Sequence, residues 1–227
     1  MELLQPDFSG NVRCYVGDAA DREIMRIFGF RSTVFTDAAR NALRAVTESD
    51  DMHAQLSAEG SRFYHAFVEG VREEIDMLDD WSANREADNQ TSPRAYRADG
   101  LTLAFAQGNS ATGDESKNLG LKRLGKVTLF EIRRSNDAEQ QELDFDELPG
   151  EAQTRPQTLW LLVYKRDGDK VSIEVSLPVV SAEDDTIIGW DKRLILGEIT
   201  WNTVIAEATD DERRNEDGDA AIAVSAG

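Results

Sequence analysis

Residues 158–180 read TLWLLVYKRDGDKVSIEVSLPVV: two apolar runs joined by a short polar link, with one acidic residue, Glu174, inside the second. Asp167-Gly168 suits a tight turn that needs a positive φ, so the stretch is predicted to be a β-hairpin. In the second run Val171, Ile173, Val175 and Leu177 alternate with Ser172, Glu174 and Ser176. Side chains alternate across a strand, so Glu174 is expected on the face opposite the four apolar residues, as a solvated sheet residue. The first run, LWLLVY, lacks polar alternation and implies a central strand covered on both faces.

Outward from the hairpin, extended patterns recur at residues 101–106 (LTLAFA), 126–134 (KVTLFEIRR) and 192–204 (KRLILGEITWNTV), with a short candidate strand at 11–16. The amino-terminal part reads differently. Ile24, Ile27 and Phe28 share one face of a helix over 18–28 that Asp18 caps and Gly29 stops. Thr36 is a plausible cap for a second helix reaching Thr47, with Ala39, Leu43 and Val46 as its buried stripe. The clearest helix spans 57–81, where Phe63, Phe67, Val71, Ile75 and Leu78 recur at intervals of three and four. Helices first and strands afterwards predict a single α+β domain over 1–206, helical to about 82, with a largely antiparallel sheet of about five strands from about 100. Residues 82–99 read as a long connection containing Pro93, and 107–125 as a mobile loop. Residues 207–227 read as an acidic disordered tail.

The chain has 44 acidic and 25 basic residues, a net charge of -19 that disfavours contact with a phosphate backbone, so no direct nucleic-acid binding is expected. Acidity also serves solubility or a salty interior, and the preference for Arg over Lys fits a GC-rich or halophilic prokaryotic genome. No apolar run approaches the roughly 20 residues of a spanning helix. The start, MELLQPDFSG, lacks the regions of a secretory leader, and Cys14 is the single cysteine. A cytoplasmic location without membrane contact is therefore expected.

Few residues offer familiar chemistry. His53 and His65 are the only histidines, and neither they nor Cys14 show zinc-ligand spacing; no serine sits in a GxSxG elbow. Residues 120–126, GLKRLGK, match the spacing of a phosphate-binding loop, but Val127 replaces the Ser or Thr that would hold magnesium, and a strand is expected to follow. No cofactor is expected. Lys117, Lys122, Arg123, Lys126, Arg133 and Arg134 make one basic cluster, suited to an anion or to pairing with the acidic segment after it. Glu131-Ile132-Arg133, in an expected strand, resembles the acidic-x-Lys strand of PD-(D/E)xK nucleases, with Arg in place of Lys. That resemblance implies a magnesium site built by Glu131 and a further carboxylate, Asp114 or Asp99, assisted by Arg133, with Glu174 expected nearby. The simpler reading of Glu131 and Arg133 is an ion pair on a wet sheet face.

Two functions follow. The first is a non-enzymatic regulatory protein that binds a cationic partner, as an inhibitor, antitoxin-like factor or component of a multiprotein system. Its contact surfaces are Glu73, Glu74, Asp76, Asp79 and Asp80, and the acidic stretch containing Asp137, Glu139, Glu142, Asp144, Asp146 and Glu147. The second is a divalent-metal-dependent nuclease or phosphoesterase using the strand carboxylates.

Overall fold

Apolar side chains at helical spacing build one layer of the molecule. In a computed structural model, which describes residues 12–48, 53–55, 57–87, 92–121, 124–125, 128–129, 131–133, 158–181 and 186–200, α1 (Asp18–Phe28) buries Ala20, Ile24 and Phe28. α2 (Thr33–Thr47) buries Phe35, Ala38, Ala39, Ala42, Leu43 and Val46. α3 (Ala58–Asp76) buries Phe63, Phe67, Val68, Val71 and Ile75. Gly29 ends α1 in the left-handed conformation, as expected, but Gly17, not Asp18, occupies its N-cap. α2 starts earlier than Thr36 because Ser32, its N-cap, gives both its N–H and its hydroxyl to Asp21, at 2.9 and 2.7 Å. α3 stops at Asp76 rather than reaching Trp81. There the Asp76 carboxylate accepts the Ala83 N–H at 2.7 Å and holds the turn.

The strands are β1 (Arg13–Val16), β2 (Trp81–Ser82), β3 (Arg94–Arg97), β4 (Leu101–Gln107), β5 (Thr158–Asp167), β6 (Lys170–Val180) and β7 (Ile187–Thr200). They form one sheet in the order β1-β7-β6-β5-β4-β3-β2. The α+β class holds, but the sheet has seven strands and is mixed, since β4 pairs with β5 and β1 with β7 in parallel. The stretch read as a connection over 82–99 contributes β3 and the end of β2. The expected strand over 126–134 is instead helical at residues 128–129 and 131–133. Residues 201–227, including the expected tail, lie outside the described residues.

The hairpin is present. Asp167 pairs with Lys170 across a two-residue turn in which Gly168 has φ 60, a conformation that an L side chain strains. Its two strands separate two cores. Trp160, Leu162, Tyr164, Val171, Ile173 and Val175 face the three helices, where Phe28, Trp81 and Trp160 stack edge and face. Leu159, Leu161 and Val163 face away from them, against Leu119, Ile132 and Trp190. That second cover comes from the crossover between β4 and β5, which explains why β5 is apolar on both sides.

Candidate functional site

The second face carries charge in its interior. Glu174 is fully buried, not solvated, because the segment expected to be a mobile loop over 107–125 lies on top of it. Its carboxylate accepts the Arg193 Nε at 3.0 Å and Nη2 at 2.6 Å, the Ser176 hydroxyl at 2.8 Å and the Gly113 N–H at 2.8 Å. Arg193, itself 3% exposed, donates onward to the Lys117 carbonyl at 2.8 Å and the Ala111 carbonyl at 3.3 Å. A loop cannot satisfy its own backbone as a helix does, so this pair supplies the donors and acceptor that 111–117 needs when buried. It clasps the loop to β6 and β7.

A second clasp holds the helical residues of the crossover. Arg94 of β3 is fully buried and pairs with Glu131, while its Nη2 donates to the Thr128 hydroxyl at 3.1 Å. Arg94, Ala104, Leu161, Ser176 and Arg193 occupy one cross-strand row, so the two clasps stand four strand spacings apart, roughly 19 Å. Glu131 and Glu174 are thus committed to different arginines. Arg133 is partly buried beside Ile132. Asp114 belongs to neither clasp. It accepts Lys117 Nζ at 2.7 Å and the Ser116 hydroxyl at 2.6 Å, and the bonds from Lys117 and then Ser116 hold its carboxyl down to about 2.

The ground for rejecting residues 120–126 as a phosphate loop changes. The segment after it is helical, not a strand, yet Thr128 spends its hydroxyl on Arg94, and Gly120 gives its carbonyl to the Asn109 N–H rather than ending a sheet strand. Among the described residues no three His, Cys, Asp or Glu side chains are grouped as metal ligands. His65 is exposed and stacks edgewise on Tyr64.

Two solvent-facing features stand out among the described residues. The first is a cleft of about 460 Å³ beside the Glu174 clasp, bounded by the loop at Ser110, Thr112, Asp114 and Glu115 and by β7 at Ile195 and Glu198. The second is the carboxyl end of α3, where Glu73, Glu74, Asp76, Asp79 and Asp80 are all exposed. No basic residue lies in the last turn of α3. Asp137, Glu139, Glu142, Asp144, Asp146 and Glu147 lie outside the described residues.

The residues missed at the level of sequence are Arg94 and Arg193. The available signal was an acidic residue inside an otherwise apolar segment, Glu174 or Glu131, which needs an arginine if it is buried. Arg193 was masked by its neighbour Lys192, and Arg94 by a stretch that does not read as a strand. No helix among the described residues is long and apolar enough to cross a membrane. Compared with known proteins, the chain has no significant match to any family model, curated protein or solved structure.

Proposed function

We propose that the protein acts in the cytoplasm by binding a cationic protein partner, as an inhibitor, antitoxin-like factor or component of a multiprotein system, and not by catalysis. The observation that carries this reading is the set of exposed carboxylates at the carboxyl end of α3. A helix end of that polarity disfavours negative charge, by about 0.3–1 kcal/mol for each nearby residue. Among the described residues only Asp76 recovers part of that cost, by capping Ala83. Glu73, Glu74, Asp79 and Asp80 therefore add to a negative field without an evident structural return, and such a field speeds and selects the approach of a basic surface. The acidic stretch at 137–147 extends the same reading. What favours binding over the metal-dependent alternative is that Glu131 and Glu174 are each paired with a buried arginine.

The test is capture from a lysate of the source cells, comparing the native chain with a variant carrying Glu73→Gln, Glu74→Gln, Asp79→Asn and Asp80→Asn. A basic protein held at low salt, released at high salt and lost with the variant is the expected result. Retention that ignores the four substitutions would remove the basis of the proposal.

A further inference from the structure

Where the loop over 110–117 meets the sheet it borders the cleft of about 460 Å³, a size usual for small-molecule sites. The register of the sheet sets the floor. Ser172 of β6 stands opposite Glu198 of β7, and Ile195 of β7 opposite Val16 of β1, so one end of the floor is polar and the other apolar. Ser110, Thr112 and Glu115 of the loop line the wall. That wall is in place before any ligand arrives, because Glu174 takes the Gly113 N–H and Arg193 holds the Ala111 and Lys117 carbonyls. A pre-formed wall lowers the ordering cost of binding.

Charge and hydrogen-bonding capacity narrow the class of ligand. Asp114 holds Lys117 at 2.7 Å and Glu198 holds Lys170 at 2.9 Å, so two of the three carboxylates lining the cleft already carry an ammonium. A phosphate ester would face those carboxylates with both lysines engaged. A divalent cation needs several oxygen ligands, and among the described residues only Glu115 of the three carboxylates is outside an ion pair. Neutral donors and acceptors are better matched. Among the described residues the Ser110 and Ser172 hydroxyls make no hydrogen bond, and Thr112, which donates to the Asn109 carbonyl at 2.8 Å, keeps an oxygen that can accept.

We propose that this cleft binds a neutral polyol of sugar size. Each hydroxyl of such a ligand both donates and accepts, so it can give to Glu115 and exchange bonds with Ser110 and Ser172 without bringing net charge. A sugar ring also has an apolar C–H face, which Val16, 47% exposed, and its neighbour Ile195 can cover. Every ligand hydroxyl gives up water before it bonds to the protein, so the affinity is modest, with a dissociation constant on the order of 1 mM. The site lies apart from the carboxylates at the end of α3, and it adds a small ligand to the protein-binding reading without depending on it.

The experiment titrates the ¹⁵N-labelled full chain separately with glucose, galactose, mannose, ribose and myo-inositol, each to about 100 mM. At least one should give saturable shifts at the Ser110, Gly113, Ser172 and Gly197 amides. Ser110→Ala with Ser172→Ala should weaken that response about tenfold while the rest of the spectrum stays that of the folded chain. Shifts that rise linearly with every polyol, or that saturate only at residues away from the cleft, would overturn the proposal. Unchanged affinity in the double variant would overturn the placement of the ligand. Spermidine is the charged control: saturation of the same amides by spermidine, with every polyol failing, would overturn the polyol and assign the cleft to an organic cation.

Discussion

Replacing Glu174 by alanine removes a single carboxylate on which four hydrogen bonds converge. Arg193 keeps the Lys117 and Ala111 carbonyls but loses its counter-charge while remaining buried. Removing one partner of a buried pair costs about 3–5 kcal/mol, and the Gly113 N–H and Ser176 hydroxyl also lose their acceptor. Water entering the vacated space relieves part of this, so about 4 kcal/mol is expected for Glu174→Ala. The cost should be close to that of Arg193→Met, which strands the carboxylate instead. The double variant Glu174→Met/Arg193→Met should recover most of the loss, because two well-packed apolar side chains replace an ion pair with little net change. Urea unfolding followed by the fluorescence of the buried Trp160 and Trp190 measures all four proteins. In the double variant, amides over 111–117 should still exchange faster than in the native chain, since the loop carbonyls have lost their guanidinium. A Glu174→Ala cost below about 1 kcal/mol, or a double variant no more stable than the single variants, would falsify the clasp argument.

The second clasp is asymmetric. Glu131→Ala leaves a fully buried Arg94 and should cost about 3 kcal/mol or more, whereas Arg94→Met should cost less because Glu131, 31% exposed, can turn to water; equal losses in urea unfolding would contradict this. At Gly108 a Cβ would lie against Thr112 Oγ1 and 2.7 Å from Val163 Cγ1, so Gly108→Ala should cost roughly 1–3 kcal/mol and lower Tm by several degrees, and an unchanged Tm would show that the loop can lift off β5. Asp114 titrates below an ordinary aspartate, so its stabilising contribution is complete above about pH 4 and is lost as the pH falls through about 2. A carboxyl ¹³C titration should find it still ionised near pH 3, and Lys117→Met should raise its midpoint; a midpoint already at the ordinary value would mean the Lys117 bond is not formed in solution.

Much of the helical layer was legible because its side chains obey a period. Ile24 and Phe28 of α1, and Phe63, Phe67, Val71 and Ile75 of α3, are buried as their spacing implies. The hairpin was legible for the same reason. Two misreadings have distinct causes. Arg-Ala-Tyr-Arg at 94–97 does not look like a strand, and becomes one because Arg94 finds Glu131 and because Arg97 lies over Trp81, gives Nη1 to the Ile27 carbonyl and pairs with Asp99. Residues 126–134 alternate like a strand, yet among its described residues Thr128 and Ile132, four apart, are the buried ones, so tertiary packing selects the helical period over the extended one there. The parallel pairings had no local signal. Their partners are set by where the long crossover and the chain ends return, which turn chemistry does not encode.

The site was only half legible, and the reason lies in how the two faces are covered. Amphipathic helices cover one face and satisfy their own backbone, so that core can be almost wholly apolar. The crossover covers the other with turns, whose N–H and C=O groups must find partners once buried. Glu174 and Arg193 provide them, accepting from Gly113 and donating to Ala111 and Lys117. An apolar pair could match their stability but could not hold three particular loop groups at fixed positions. What the buried charges contribute is therefore position rather than strength. The position they set is the wall of the cleft, so the Met/Met pair should speed amide exchange at Gly113 and Lys117 while leaving global stability near that of the native chain. Unchanged exchange at those amides would mean that the clasp serves only to close the fold.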